Sequence, residues 1–122
     1  MEKPVSASDA HYQDEQCEYL WGDPRVTDRR VKGKLVMTTG GIRFVYKKSS
    51  IAYARTSIRS VRYQVDTGGN RSYQLIFKVE DLEGVYPSGF DVEFEFRNDY
   101  YAKVFGKRFE SAFGLPFSVG KE

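Results

Sequence analysis

Between Gly33 and Phe44 the hydrophobic and polar positions alternate with a period of two. Leu35 and Met37 interleave with Lys34, Val36 and Thr38, and Ile42 and Phe44 interleave with Gly41, Arg43 and Val45. That period sends successive side chains to opposite faces of a strand. Thr39-Gly40-Gly41 between the two runs supplies the glycine chemistry of a tight turn, so the stretch predicts a β-hairpin. Upstream, Cys17, Tyr19 and Trp21 alternate with Glu18 and Leu20, a first strand ended by Gly22-Asp23-Pro24 because proline lacks an amide donor. Residues 22–29 read as a polar loop, with the second strand starting near Arg30. Downstream, Lys47-Lys48-Ser49-Ser50 is a turn and Ile51–Ala54 a short strand, followed by a longer one marked by Ile58, Val61, Tyr63 and Val65. Asp66 to Asn70 is a turn by composition. Tyr73, Leu75, Phe77 and Val79 alternate with Gln74, Ile76 and Lys78, and Glu80–Gly89 is a loop. Phe90, Val92, Phe94 and Phe96 then alternate with Asp91, Glu93, Glu95 and Arg97, the most regular strand pattern in the chain.

At Asn98-Asp99 the period changes. Tyr101, Val104, Phe105, Phe109, Ala112 and Phe113 recur at spacings of three and four, behind an N-cap at Asn98 and ahead of Gly114 and Pro116. This is one amphipathic helix. About seven short strands followed by a C-terminal helix predict a mainly β architecture, a bent two-sheet antiparallel barrel with the helix plugging one end. The expected core is Leu35, Met37, Ile42, Phe44, Tyr53, Ile58, Val61, Tyr63, Leu75, Phe77, Val92, Phe94, Phe96, Val104, Phe105 and Phe109. Residues 1–15 lack periodicity and predict a flexible arm, residues 16–117 the folded domain, and residues 118–122 a flexible tail.

Composition changes this picture in three places. At 122 residues the chain suits one domain that buries about two-thirds of its unfolded surface. The apolar runs are too short for a transmembrane helix, and Met1 to Gln16 has no apolar centre of the kind a signal peptide carries. Cys17 is the one cysteine, which excludes an internal disulfide and suits a reducing, cytoplasmic setting. Net charge is only +2, yet it is unevenly spread: residues 1–21 carry five acids and one base, residues 22–62 eleven bases and two acids, and residues 63–122 seven bases and ten acids. Such segregation shapes the field around the molecule and therefore its choice of partners.

The order G-x-L-x-M-T-x-x-G-I-x-F over Gly33–Phe44, followed by I-x-Y from Ile51 and I-x-x-V from Ile58, resembles the pleckstrin-homology-like (PH-like) superfold, and within it the GRAM and bacterial PH-like branches. The resemblance spans about residues 17–115 and rests on structural motifs. It implies a barrel whose first inter-strand loop and third-to-fourth-strand turn lie side by side at the end opposite the helix. Phosphoinositide-binding PH domains place a basic residue on the first strand and a basic-x-basic pair on the second. Arg30-Val31-Lys32 or Lys32-Gly33-Lys34 resembles that pair. Tyr19-Leu20-Trp21-Gly22 offers no base on the first strand, leaving Arg25 as the substitute, and Phe105 and Phe109 stand where such helices carry a tryptophan.

Chemistry narrows accordingly. His11, the sole histidine, falls in the expected arm, so no histidine-based triad or dyad assembles, and two Cys/His residues in total do not make a zinc site. No catalytic residues, metal or cofactor are expected. Asp91, Glu93 and Glu95 form an acidic row that reads as a solvated strand exterior guarding against edge-to-edge pairing. Arg25, Arg29, Arg30, Lys32, Lys34, Lys47 and Lys48 are the candidate anion- or lipid-binding residues. They predict a non-enzymatic adaptor that docks on an anionic surface, the cytoplasmic face of a membrane, as a peripheral protein. Nucleic acid is the weaker fit to the same charge, because Phe44, Tyr46, Tyr53 and Tyr63 suit inward positions better than a stacking platform. The alternative is a protein-interaction module that adds a peptide strand in the groove between a sheet edge and the helix, a site the PH-like resemblance implies.

Overall fold

The computed structural model describes residues 11–69, 71–80, 84 and 88–119. Its elements are β1 (His11–Trp21), β2 (Val31–Thr38), β3 (Gly41–Tyr46), β4 (Ser49–Ala54), a 3-10 turn (Arg55–Ser57), β5 (Ile58–Asp66), β6 (Ser72–Val79), β7 (Phe90–Phe96), α1 (Asp99–Phe113) and β8 (Phe117–Val119). They form a single sheet in the order β4-β3-β2-β1-β7-β6-β5-β8. Every pairing is antiparallel except β5 with β8, which is parallel. β1 joins the halves, pairing with β2 along His11–Tyr19 and with β7 along Cys17–Trp21.

The sheet closes around one core because each strand keeps a buried face. Leu35, Met37, Tyr53, Ile58, Val61, Leu75, Phe77, Val92 and Phe94 are fully buried, and α1 adds Ala102, Phe105 and Phe109. Aromatic rings meet edge to face across the middle, Phe77 with Phe94 at 6.0 Å and with Phe109 at 5.3 Å between centroids. Asn98 caps α1 by accepting a hydrogen bond from the Tyr101 amide at 3.1 Å. Gly114 ends the helix in the left-handed region at φ 68°, a conformation only glycine adopts without cost.

The predicted elements are recovered with six differences in bounds or burial. β1 begins at His11, so residues 11–15, expected in an arm, pair with β2 instead. Ser49 and Ser50 belong to β4, leaving Lys47-Lys48 as a two-residue turn. Val104 is half-buried and not a core residue; the inward stripe runs through Ala102, Phe105, Gly106, Phe109 and Phe113, and a one-residue step rotates a side chain about 100° around the helix. Trp21 is 50% exposed while Leu20 is buried, the reverse of simple alternation. A register shift between Tyr19 and Trp21 against β7 inverts the pattern there, as a bulge does. Finally, Phe117–Val119 forms an eighth strand, although Ser118 was expected to start a flexible tail. Gln74 and Ile76 are also buried, on the outer face of β6, where Ile76 lies in register between Arg62 and Glu93. β6 is internal to the sheet, so long neighbouring side chains shield both of its faces.

Candidate anion-binding site

The loop after β1 is held down by a buried carboxylate. Asp23 is 2% exposed. It accepts hydrogen bonds from the Tyr53 hydroxyl at 2.6 Å, from the Arg25 amide at 2.8 Å, and from Arg25 Nε and an Arg25 terminal nitrogen at 3.1 and 2.8 Å. Its own amide donates to the Tyr19 hydroxyl at 3.0 Å. Burial by itself would raise the Asp23 carboxyl, but Arg25 and Tyr53 together hold it below the usual carboxylate range. Burial, reinforced by Asp23, pushes the Tyr53 phenol far upward, so it stays a donor. Tyr19 and Tyr53 reach this point from β1 and β4, so the loop base is fixed to both.

From that base the loop carries Asp28, Arg29 and Arg30 toward the β3–β4 turn, and Lys47 Nζ meets Asp28 at 3.8 Å. The two segments enclose a cradle of about 380 Å³, lined by Asp28, Arg29, Arg30, Val31, Lys32 and Lys47. Four of the six lining residues are cationic and one is a carboxylate, so the cradle attracts anions. Among the described residues, the non-glycine positions with positive φ are Arg30 at 56° and Lys47 at 52°. Both lie in this cradle. Side chains other than glycine adopt that region at a cost of order 1 kcal/mol, and such strain concentrates at binding loops.

The seven candidate bases are not equivalent in place. Arg29, Arg30, Lys32 and Lys47 converge on the cradle. Lys34 faces a neighbouring depression on the outer face of β2, shared with Lys32, Glu18, Glu95 and Arg97. Lys48 is exposed in the turn and is not among the cradle's lining residues. Arg25 is drawn away by Asp23 and serves the loop's structure.

Existing ion pairs set how readily the others can be recruited. Arg30 reaches Glu18 at 3.4 Å and Glu95 at 3.9 Å, and Lys34 reaches Asp14 at 3.8 Å. These are exposed contacts of small net value, which an incoming anion can displace. Lys32 and Lys48 make no ion pair among the described residues, and Arg29 stacks over Trp21 at 5.5 Å. The same loop also borders a hollow whose charged lining is Asp23, Asp28, Arg29, Asp91 and Glu93. Asp28 and Arg29 line both the hollow and the cradle, so the two share one wall of the loop.

Sequence reasoning missed the Asp23–Arg25–Tyr53–Tyr19 network. Asp23 before Pro24 looks like a turn residue, and no local pattern announces a partner thirty positions away. Cys17 is buried, and burial pushes its thiol well above the ordinary value, so it is inert as a nucleophile. Among the described residues no helix is long and apolar enough to cross a membrane. At the other end of the sheet, the β5 edge beside α1 is filled by the chain's own β8. The Val61 amide donates to the Pro116 carbonyl at 3.0 Å there.

A strongly curled antiparallel sheet with a C-terminal helix over one opening defines a PH-like fold, and the comparisons agree. Among solved structures, the chain is similar to a Vps36 N-terminal PH domain, with a TM-score of 0.69 and 17% identity over 91% of this chain and 83% of that one. The likeness is one of fold and does not reach the narrower GRAM branch. No protein-family model and no curated protein matches the sequence.

Proposed function

We propose that this protein is a non-enzymatic binding module that docks on an anionic membrane surface through the cradle between the β1–β2 loop and the β3–β4 turn. The observation that carries the reading is convergence. Arg29 and Arg30 come from the β1–β2 loop, Lys32 from the start of β2 and Lys47 from the β3–β4 turn, Lys47 lies 3.8 Å from Asp28 across the gap, and two of the four cations have positive φ. Arginine grips phosphate through two parallel donors, while lysine acts as a point charge. Each base near an anionic bilayer contributes about 1 kcal/mol, so the four cradle residues with Lys34 and Lys48 at its margin support salt-sensitive association. In this reading the protein is peripheral to the membrane and cytoplasmic, and Arg25 is left out of the contact set.

The test is co-sedimentation with anionic and neutral vesicles at low and high salt, comparing the native protein with a Lys32→Glu, Lys47→Glu variant. Native protein should pellet with anionic vesicles at low salt and be released by high salt, and the variant should stay in solution. Native protein that ignores both vesicle types sinks the membrane reading. A variant that still binds anionic vesicles shows the contact to lie elsewhere.

A further inference from the structure

The sheet ends at β8 on one side and at β4 on the other, and among the described residues nothing pairs with the outer edge of β4. Which of its backbone groups face outward follows from the register. Across an antiparallel pair, opposed residues alternate between exchanging two hydrogen bonds and exchanging none. The Arg55 amide donates to the Gly40 carbonyl at 2.9 Å, one step beyond the Gly41–Ala54 pair. Counting back in twos, Tyr53, Ile51 and Ser49 bond to β3, whereas Ser50, Ala52 and Ala54 turn their amides and carbonyls outward.

Folded proteins ordinarily blunt such an edge with a proline, a charged side chain or a bulge. β4 has none of these: it reads Ser-Ser-Ile-Ala-Tyr-Ala, and its register with β3 is unbroken. Ser50, Ala52 and Ala54 are exposed and small, so they leave the outward amides open to an added strand. On the core-facing side Ile51 is only half-buried, which leaves apolar surface for one more aliphatic side chain.

The charge beside this edge has one sign. From Arg29 to Val65 the chain holds ten arginines and lysines and no aspartate or glutamate. Lys48 and Arg55 bracket β4. Arg43 stands opposite Ala52 on β3, exposed and without an ion pair among the described residues. Opposed residues share a face, so an arginine there can span the small alanine and meet a carboxylate on a strand laid against β4. The same charges disfavour a second copy. Two β4 strands paired about Ala52 would set Lys48 of each beside Arg55 of the other, with both Arg43 side chains on one face.

We propose that the outer edge of β4 binds an extended acidic segment of a partner protein by strand addition, its carboxylates facing Arg43 and its aliphatic side chains facing Ile51. Arg43 and the outward amides of β4 lie outside the basic cradle, so this contact is separate from membrane docking.

The probe is a short fluorescent peptide alternating valine and glutamate, compared by anisotropy with its valine–lysine counterpart. Native protein should bind the glutamate peptide at least ~10-fold more tightly, with an advantage that shrinks at high salt. Ala52→Pro removes an outward amide and no bond to β3, a placement that edge strands tolerate. That variant, checked for an unchanged fold by circular dichroism, should bind the glutamate peptide at least ~10-fold more weakly, and so should Arg43→Glu. Hydrogen exchange gives a measurement that needs no variant. In the free protein the Ala52 amide should exchange at least ~100-fold faster than those of Ile51 and Tyr53, and saturating glutamate peptide should close that gap. Equal protection of the three amides in the free protein, failure of native protein to prefer the glutamate peptide, or binding that survives Ala52→Pro overturns the proposal. A concentration-dependent dimer of native protein, lost in Ala52→Pro, makes a second copy the occupant and overturns it as well.

Discussion

Replacing Tyr53 with phenylalanine tests the network under the basic loop with a single atom. Tyr53 is fully buried, so the change opens no cavity and exposes nothing. What is lost is the 2.6 Å hydrogen bond from its hydroxyl to Asp23. A hydrogen bond to a charged group contributes about 1.5–3 kcal/mol net, and this one helps to keep a carboxylate ionised inside the protein. At roughly 4 °C per kcal/mol for a domain of this size, Tm should fall by about 6–12 °C. Urea denaturation should show the same loss as a shift in midpoint at constant slope. The control is Tyr100→Phe, at a 66% exposed site, where a change within about 0.5 kcal/mol is expected. A double-mutant cycle sharpens the argument. In an Asp23→Ala background the Tyr53 hydroxyl is a buried donor without its acceptor, so Tyr53→Phe should then cost nothing or stabilise the protein. If Tyr53→Phe costs the same in both backgrounds, the hydroxyl does not act through Asp23 and the network is not what fixes the loop.

Two further outcomes follow from the same contacts. Phe105→Ala should cost about 3–5 kcal/mol in chemical denaturation, since Phe105 is fully buried and packs on Phe96 at 5.6 Å; an unchanged midpoint would remove α1 from the core. Because Asp23 is depressed in the folded state, the unfolded chain binds its proton first as pH falls. Its contribution is present above the unfolded value of about 3.9 and disappears as pH drops through the lower folded value. An Asp23→Asn variant should therefore show a flatter loss of stability than native protein below about pH 4, and parallel curves would rule out this linkage.

Much of the fold was written locally. Period-2 alternation and turn glycines marked the hairpin of β2 and β3, and the switch to spacings of three and four at Asn98 marked α1. These signals are legible because each residue's burial is decided by the strand or helix period of its own segment. The alternation failed where a neighbour intervened. A bulge against β7 turned Trp21 outward, and internal placement buried Ile76 on the face that looked solvent-exposed. For the candidate site, the sequence determined that the positive charge concentrates in residues 22–62. It did not determine which charges meet. Arg25 and Arg29 are four residues apart, yet one is bound to a buried carboxylate and the other lines the cradle, because Tyr53, from a strand thirty residues away, fixes where Asp23 sits. Likewise Phe117 reads only as the last residue before an expected flexible tail until Gly106 provides its notch. Period and composition specify what each residue wants; which partner satisfies it is settled only when distant segments compete for the same space.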